Sequence, residues 1–131
     1  AALIISNGSP TLTWVDPVGP KVLRTVEVRD GDQPIAKLNE LEWIGGSLYA
    51  NVWMTDRIAR IDPTSGRVTG WLDLSPLKLK AGISAQQEAA GAVLNGIAYR
   101  SDKQHLLITG KWWPKIYEIK LLPSPHRVSK L

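Results

Sequence analysis

The sequence has no cysteine, no phenylalanine, one methionine and two histidines among its 131 residues. Without cysteine there is no disulfide framework, no thiolate nucleophile and no Cys-ligated zinc site, and the redox compartment stays open. His105 and His126 stand too far apart to make a local metal motif, and no oxygen-ligand spacing specifies calcium. No metal and no cofactor is therefore expected. Missing too is any apolar run near the eighteen or so residues of a membrane span, so no membrane partner is expected. The net charge is +4, but lysine and arginine are scattered through both halves. A phosphate footprint needs them clustered, which argues against nucleic acid. The opening Ala1-Ala2-Leu3-Ile4-Ile5 reads as the middle of a strand, not as a basic leader with an apolar core.

What is present is β-sheet patterning around one stretch, Leu38 to Trp53. Leu38–Ile44 and Ser47–Val52 alternate with period two and are rich in aromatic and β-branched residues. Gly45-Gly46 between them supplies the positive φ that a two-residue hairpin turn requires. The turn folds the far ends together, so Asn39 and Trp53 are expected to meet at a sheet rim.

The pattern repeats. Leu38-Asn39-Glu40-Leu41-Glu42-Trp43 resembles Leu94-Asn95-Gly96-Ile97-Ala98-Tyr99, and Leu48–Trp53 aligns with Leu106–Lys111. Arg57–Asp62 follows the first pair as Lys115–Lys120 follows the second, and an earlier copy enters at Leu3–Ser6 and Thr11–Asp16. Asp16-Pro17 and Asp62-Pro63 each open a Gly-containing turn into a further strand. A unit of four antiparallel strands over about 45 to 58 residues is the signature of a β-propeller blade.

The expected organisation is a single all-β unit, a partial propeller. It comprises a blade lacking its first strand at 3–28, a full blade at 38–74, an insertion at 75–92 and a blade lacking its last strand at 93–122, with a frayed tail at 123–131. Within the insertion, Ser84 reads as the cap of a short helix at Ala85–Ala90 that stops at Gly91. Such a phase leaves two open sheet edges. The expectation is that a missing N-terminal half covers them, that copies self-associate, or that the halves are separate chains.

With the runs LNELEWIGGSLYANVWMTDRIARIDPTSGRVTGWLDL at 38–74, LNGIAY at 94–99 and TGKWWPKIYEI at 109–119, the chain resembles the plant and bacterial type of glutaminyl cyclase, in its C-terminal half. The likeness extends over Ile4–Ser9 and Asp16-Pro17. It implies a five-bladed β-propeller, about two and two-thirds blades of which lie here. The implied activity is glutaminyl-peptide cyclotransfer, turning the N-terminal glutamine of a peptide or protein into pyroglutamate with release of ammonia. An inactive fragment acting as a peptide-binding or interaction module is the alternative. The family is mostly secreted or periplasmic, and the sequence itself does not assign a compartment.

Carried over by position, the resemblance implies catalytic roles for Asn39 and Lys111 and a substrate-binding role for Trp53, with Asn95 and Trp112 beside them. The internal repeat places Trp53 and Lys111 at equivalent strand ends, pointing to one channel. The family's proposed acid/base glutamate belongs to an upstream Phe-x-Glu-Gly motif that this chain does not contain. Turnover by the chain alone is left open. Each residue also has a plainer reading: Lys111 as a solvated edge charge, Asn39 as a turn cap, Trp53 as packing between blades. Of Trp112 and Trp113, one is expected at the channel mouth and the other against Pro114; Trp14 and Trp71 read as structural. Glu40 and Glu42 invite a paired-carboxylate reading, but alternation puts both on the side opposite Asn39, where an ion pair with Arg57 or Arg60 is the cheaper explanation.

Overall fold

The computed structural model describes residues 1–122, and the tail at 123–131, expected to fray, lies outside the described residues. The chain is mostly strand, arranged as several antiparallel sheets, none of which closes on itself among the described residues. The first sheet orders β1 (Leu3–Ile5), β2 (Thr11–Val15) and β3 (Val22–Glu27). A small ribbon of β4 (Arg29–Asp30) and β5 (Gln33–Pro34) follows. The second sheet has four strands, β6 (Leu38–Ile44), β7 (Ser47–Val52), β8 (Arg57–Ile61) and β9 (Val68–Asp73). Helices α1 (Ser75–Ala81) and α2 (Ala85–Ala89) then lead to a third sheet of β10 (Leu94–Arg100), β11 (His105–Gly110) and β12 (Tyr117–Lys120).

The β6–β7 hairpin turns where its two glycines demand. Gly45 and Gly46 take φ of 55° and 80°, and Ile44 pairs with Ser47 across them. Two consecutive left-handed residues match the right-handed twist of the flanking strands, which other side chains resist.

Alternation then decides how the sheets pack. Leu48 and Ala50 of β7, with Ala59 and Ile61 of β8, join Leu12, Trp14, Val28 and Leu38 in a core between the first and second sheets. The intervening residues Tyr49 and Ile58 face the other way, into a core with Leu94, Ile97, Leu106, Ile108 and Trp113. The central strands β7 and β8 of the second sheet thus bury residues on both faces, whereas β3 is largely exposed. Each fully buried leucine or isoleucine contributes about 1.5–3 kcal/mol relative to an exposed one, so the middle sheet carries much of the hydrophobic stabilisation. Trp14 is buried under the guanidinium of Arg24, 3.6 Å from its ring centroid, and the indole N–H of Trp71 donates to Asp30 at 2.9 Å.

Two expectations change. The 75–92 segment holds two helices rather than one. Pro76 sits in the first turn of α1, where its missing N–H is no loss, and Gly82 ends the helix in the left-handed conformation. The expected helix is α2, opened by a full capping box between Ser84 and Gln87, and Ala90 is its C-cap. Second, Glu40 and Glu42 do not follow an unbroken alternation, because a β-bulge between Leu38 and Leu41 shifts the register of β6 against β7. Glu42 accepts a hydrogen bond from the backbone N–H of Tyr99 at 3.0 Å. Arg57 instead stacks on Trp71, 3.8 Å from the ring centroid, and Arg60 lies 3.4 Å from Ser47 Oγ. The carboxylate serves to join the second and third sheets.

Candidate active site at the strand ends

The same bulge recurs in the third sheet, between Leu94 and Ile97 of β10. In each hairpin the residues just inside the bulge are the asparagines Asn39 and Asn95, and Asn39 Nδ2 donates to Asn95 Oδ1 at 3.2 Å. The residue after the inner strand is latched by its main chain in both. Trp53 N–H donates to Lys37 C=O at 2.8 Å, and Lys111 N–H donates to Val93 C=O at 2.9 Å. Pairing of β1 with β2, set beside that of β7 with β8, gives Gly8 the same position in the first sheet. Lys37 N–H donates to its carbonyl at 2.7 Å. Lys37 thereby ties the first sheet to the second.

These strand ends surround a cavity of about 520 Å³ lined by Ser6, Asn7, Gly8, Lys37, Leu38, Asn39, Trp53 and Lys111. Ser6 Oγ donates to the Asn39 carbonyl at 2.6 Å, which closes the first sheet against the asparagine. Trp53 is 45% exposed, its indole free to meet a ligand. Of the sequence-predicted residues, Asn39, Trp53 and Lys111 line this one cavity. Asn95 stands behind Asn39 through the side-chain bond. Trp112 is 76% exposed and is not part of the lining. Its neighbour Trp113 is buried, donating its indole N–H to Ala92 C=O at 3.2 Å and meeting Tyr117 edge-on at a centroid distance of 6.3 Å.

The backbone around the cavity is held in an uncommon conformation. Lys37, Met54 and Trp112 have φ of 61°, 65° and 56°. Met54 and Trp112 each follow a latched residue, so the two inner strands leave the rim by the same turn. Left-handed non-glycine residues cost on the order of 1 kcal/mol each and persist where surrounding contacts over-determine them, which is common at functional sites.

The lining carries two ammonium groups, Lys37 and Lys111, and no carboxylate. Among the described residues neither lysine makes an ion pair, whereas Lys78 of α1 makes two. Its ammonium lies 2.7 Å from Asp56, in the turn that follows Trp53, and 3.0 Å from Glu88 of α2. These contacts, Asp56 first, hold its pKa above the ordinary value. That ion pair joins both helices to the turn behind the cavity wall.

Lys37, Ser6, Asn7 and Gly8 were not singled out by the sequence. For Ser6, Asn7 and Gly8 the signal was the repeat itself: extended through the first copy, it aligns Gly8 with Trp53 and Lys111.

A model of the glutamine cyclotransferase family matches residues 1–121. The chain belongs to the glutamine cyclotransferase family. A glutaminyl-peptide cyclotransferase of Arabidopsis thaliana is 48% identical over 120 residues, covering 92% of this chain. A crystal structure of Myxococcus xanthus glutaminyl cyclase superimposes with a TM-score of 0.83 at 35% identity, covering 89% of this chain. The chain spans 37% of the length of the first of these cyclotransferase relatives and 50% of the second.

Proposed function

We propose that this chain contributes part of the active site of a glutaminyl-peptide cyclotransferase, with its sheets as blades of a β-propeller and the cavity at their inner rim as the substrate site. The observation that carries the reading is the convergence of an amide, an indole and an ammonium, from Asn39, Trp53 and Lys111, on one cavity built from equivalent strand ends.

The reaction asks for such groups. The α-amine of an N-terminal glutamine attacks its own γ-carboxamide carbon. The new C–N bond closes a five-membered lactam, the old C–N bond breaks, and a proton passes from the attacking nitrogen to the departing ammonia. Because the α-amino pKa is near 8, a modest base suffices to free the amine. The remaining barrier is one of rotamer and charge. Lys111 donates to the amide oxygen as negative charge develops there, a contribution of about 3 kcal/mol for a well-placed donor. Asn39, steadied by Asn95 and by Ser6 on its carbonyl, orients the carboxamide. Trp53 forms the apolar wall against which the side chain folds back on the amine. Trp112, outside the lining, takes no part in this reading.

The test is ammonia release from a Gln-initiated peptide, with the Glu-initiated peptide as control. It is run on the chain itself and on a chimaera in which the chain replaces the matching segment of the Arabidopsis relative. Release from the Gln peptide, abolished or sharply reduced by Lys111→Ala, supports the reading. A folded chimaera without turnover, or one indifferent to Lys111→Ala, refutes it.

A further inference from the structure

We propose that the cavity selects substrates carrying a carboxylate beside the reacting glutamine, and that Lys37 is the residue that reads it. This rests on the cyclotransferase reading and deepens it by naming a substrate class. The reacting residue brings no negative charge of its own, since its carboxamide is neutral and its amine must be neutral to attack. The cavity nevertheless holds two ammonium groups and no carboxylate in its lining. With Lys111 engaged at the amide oxygen, the charge on Lys37 has no partner among the described residues or in the reacting group.

Lys37 is also placed too firmly to be an incidental surface lysine. Its φ of 61° sets it in the left-handed region. Its N–H is bound to Gly8 C=O at 2.7 Å and its carbonyl accepts from Trp53 N–H at 2.8 Å. The base of the side chain is therefore pinned between two lining residues, one of them the indole wall, while the ammonium is left to reach a ligand. A carboxylate adjacent to the glutamine has two sources: an acidic side chain on the second residue, or the free α-carboxylate of a very short peptide. Both present the same chemistry to the ammonium.

The experiment compares Gln-Asp with Gln-Asn in C-terminally amidated peptides, and Gln-Ala with a free or an amidated end. Binding to the chain is read by tryptophan fluorescence, and kcat/KM is read on the chimaera. An exposed ion pair of this kind is expected to give a preference of about fivefold for the charged member, shrinking as salt is raised. Lys37→Gln should bring the ratio to near one, and Lys37→Arg should retain it, which separates charge recognition from damage to the loop. A preference in the first pair alone identifies the acidic side chain as the source, and in the second alone the terminal carboxylate. A wild-type ratio of one in both pairs, or a ratio that survives Lys37→Gln, overturns the proposal. Preferential binding without turnover of any peptide leaves the carboxylate site standing and removes the cyclotransferase reading.

Discussion

The hairpins β6–β7 and β10–β11 share one backbone plan and differ at the positions that face outward from it. Both carry a bulge after the first residue of the outer strand, both begin Leu-Asn, and both end with a main-chain latch. At the bulge the first has Glu40 where the second has Gly96, and opposite it the first has Asn51 where the second has Thr109. At the rim the first ends in Trp53 and the second in Lys111. The frame is conserved between copies, and the chemistry is written on top of it.

The comparison also explains why one bulge needs glycine. Gly96 has φ of 142°, and a Cβ there would lie 2.9 Å from Thr109 Cγ2. Glu40 occupies the same place without a positive φ. What differs is that the Gly96 N–H reaches across to the preceding sheet, donating to the buried Asn51 Oδ1 at 3.1 Å. Asn51 is itself 1% exposed. The positive φ that turns the Gly96 N–H to the seam between the sheets, together with Thr109 across the hairpin, imposes the glycine.

The largest expected effect concerns the rim. In a protein active on a Gln-initiated peptide, Lys111→Ala should lower kcat at least tenfold, and by about 100-fold if the full donor contribution of about 3 kcal/mol is lost, with the circular dichroism spectrum unchanged. Lys111→Trp, which makes the two rims alike, should do the same; an active Lys111→Trp protein would break the division of labour between the hairpins.

Next comes the bulge pair. Gly96→Ala should destabilise by about 2 kcal/mol in denaturant titration, since the new Cβ meets Thr109 in an unfavourable backbone region. Glu40→Ala, at the equivalent exposed site, should stay within about 0.5 kcal/mol. Equal losses would mean that the seam is not what distinguishes them. Asn51→Ala should cost about 1–2 kcal/mol by leaving the Gly96 N–H unpaired in the interior. Thr109→Ala, which removes a bond from Thr109 Oγ1 to Lys115 C=O at an exposed site, should cost less.

The smallest effects are electrostatic. Asp62 is held below its usual 3.8, chiefly by the Ser65 hydroxyl and then by the Thr64 N–H. Asp73 is lowered by its bonds to Ser75, and Glu118 in the third sheet by His105. Groups with depressed folded values stabilise fully above about pH 5, and the contribution is lost as pH falls through those values. Lys78 behaves oppositely: its raised value gives a contribution complete below about pH 10 and lost as pH climbs through it. Melting curves from pH 7 downward should therefore weaken in Asp62→Asn less than in the parent, while Lys78→Met should flatten the alkaline limb.

The β6–β7 hairpin was legible in the sequence because period-two alternation and two adjacent glycines report the same local geometry, and β10–β11 because it repeats that alternation. The repeat then located the strand ends. Helix α1 was not legible, since Leu77-Lys78-Leu79-Lys80 alternates like a strand and its N-cap, Leu74, offers no side-chain bond. Ribbon β4–β5, two residues a side, is too short to generate a pattern. The bulge in β6 was invisible for a related reason: alternation counted through an extra residue slips by one, which put Glu42 on the wrong partner. Asn39, Trp53 and Lys111 were reachable through resemblance and repeat together. Lys37 was not, because only contacts with Gly8 and Trp53, far apart in the chain, bring it to the cavity.

The latches at Trp53 and Lys111 imply an uneven distribution of motion at the rim. Their amide protons are committed to Lys37 and Val93 carbonyls while their side chains stand open to water. Deuterium should enter those two amides slowly, as it does in the strands, even as the indole and ammonium tips sample several rotamers. On the cyclotransferase proposal, a stiff anchor under a loose tip would let one frame accept peptides of different bulk behind the first residue without moving the strand beneath.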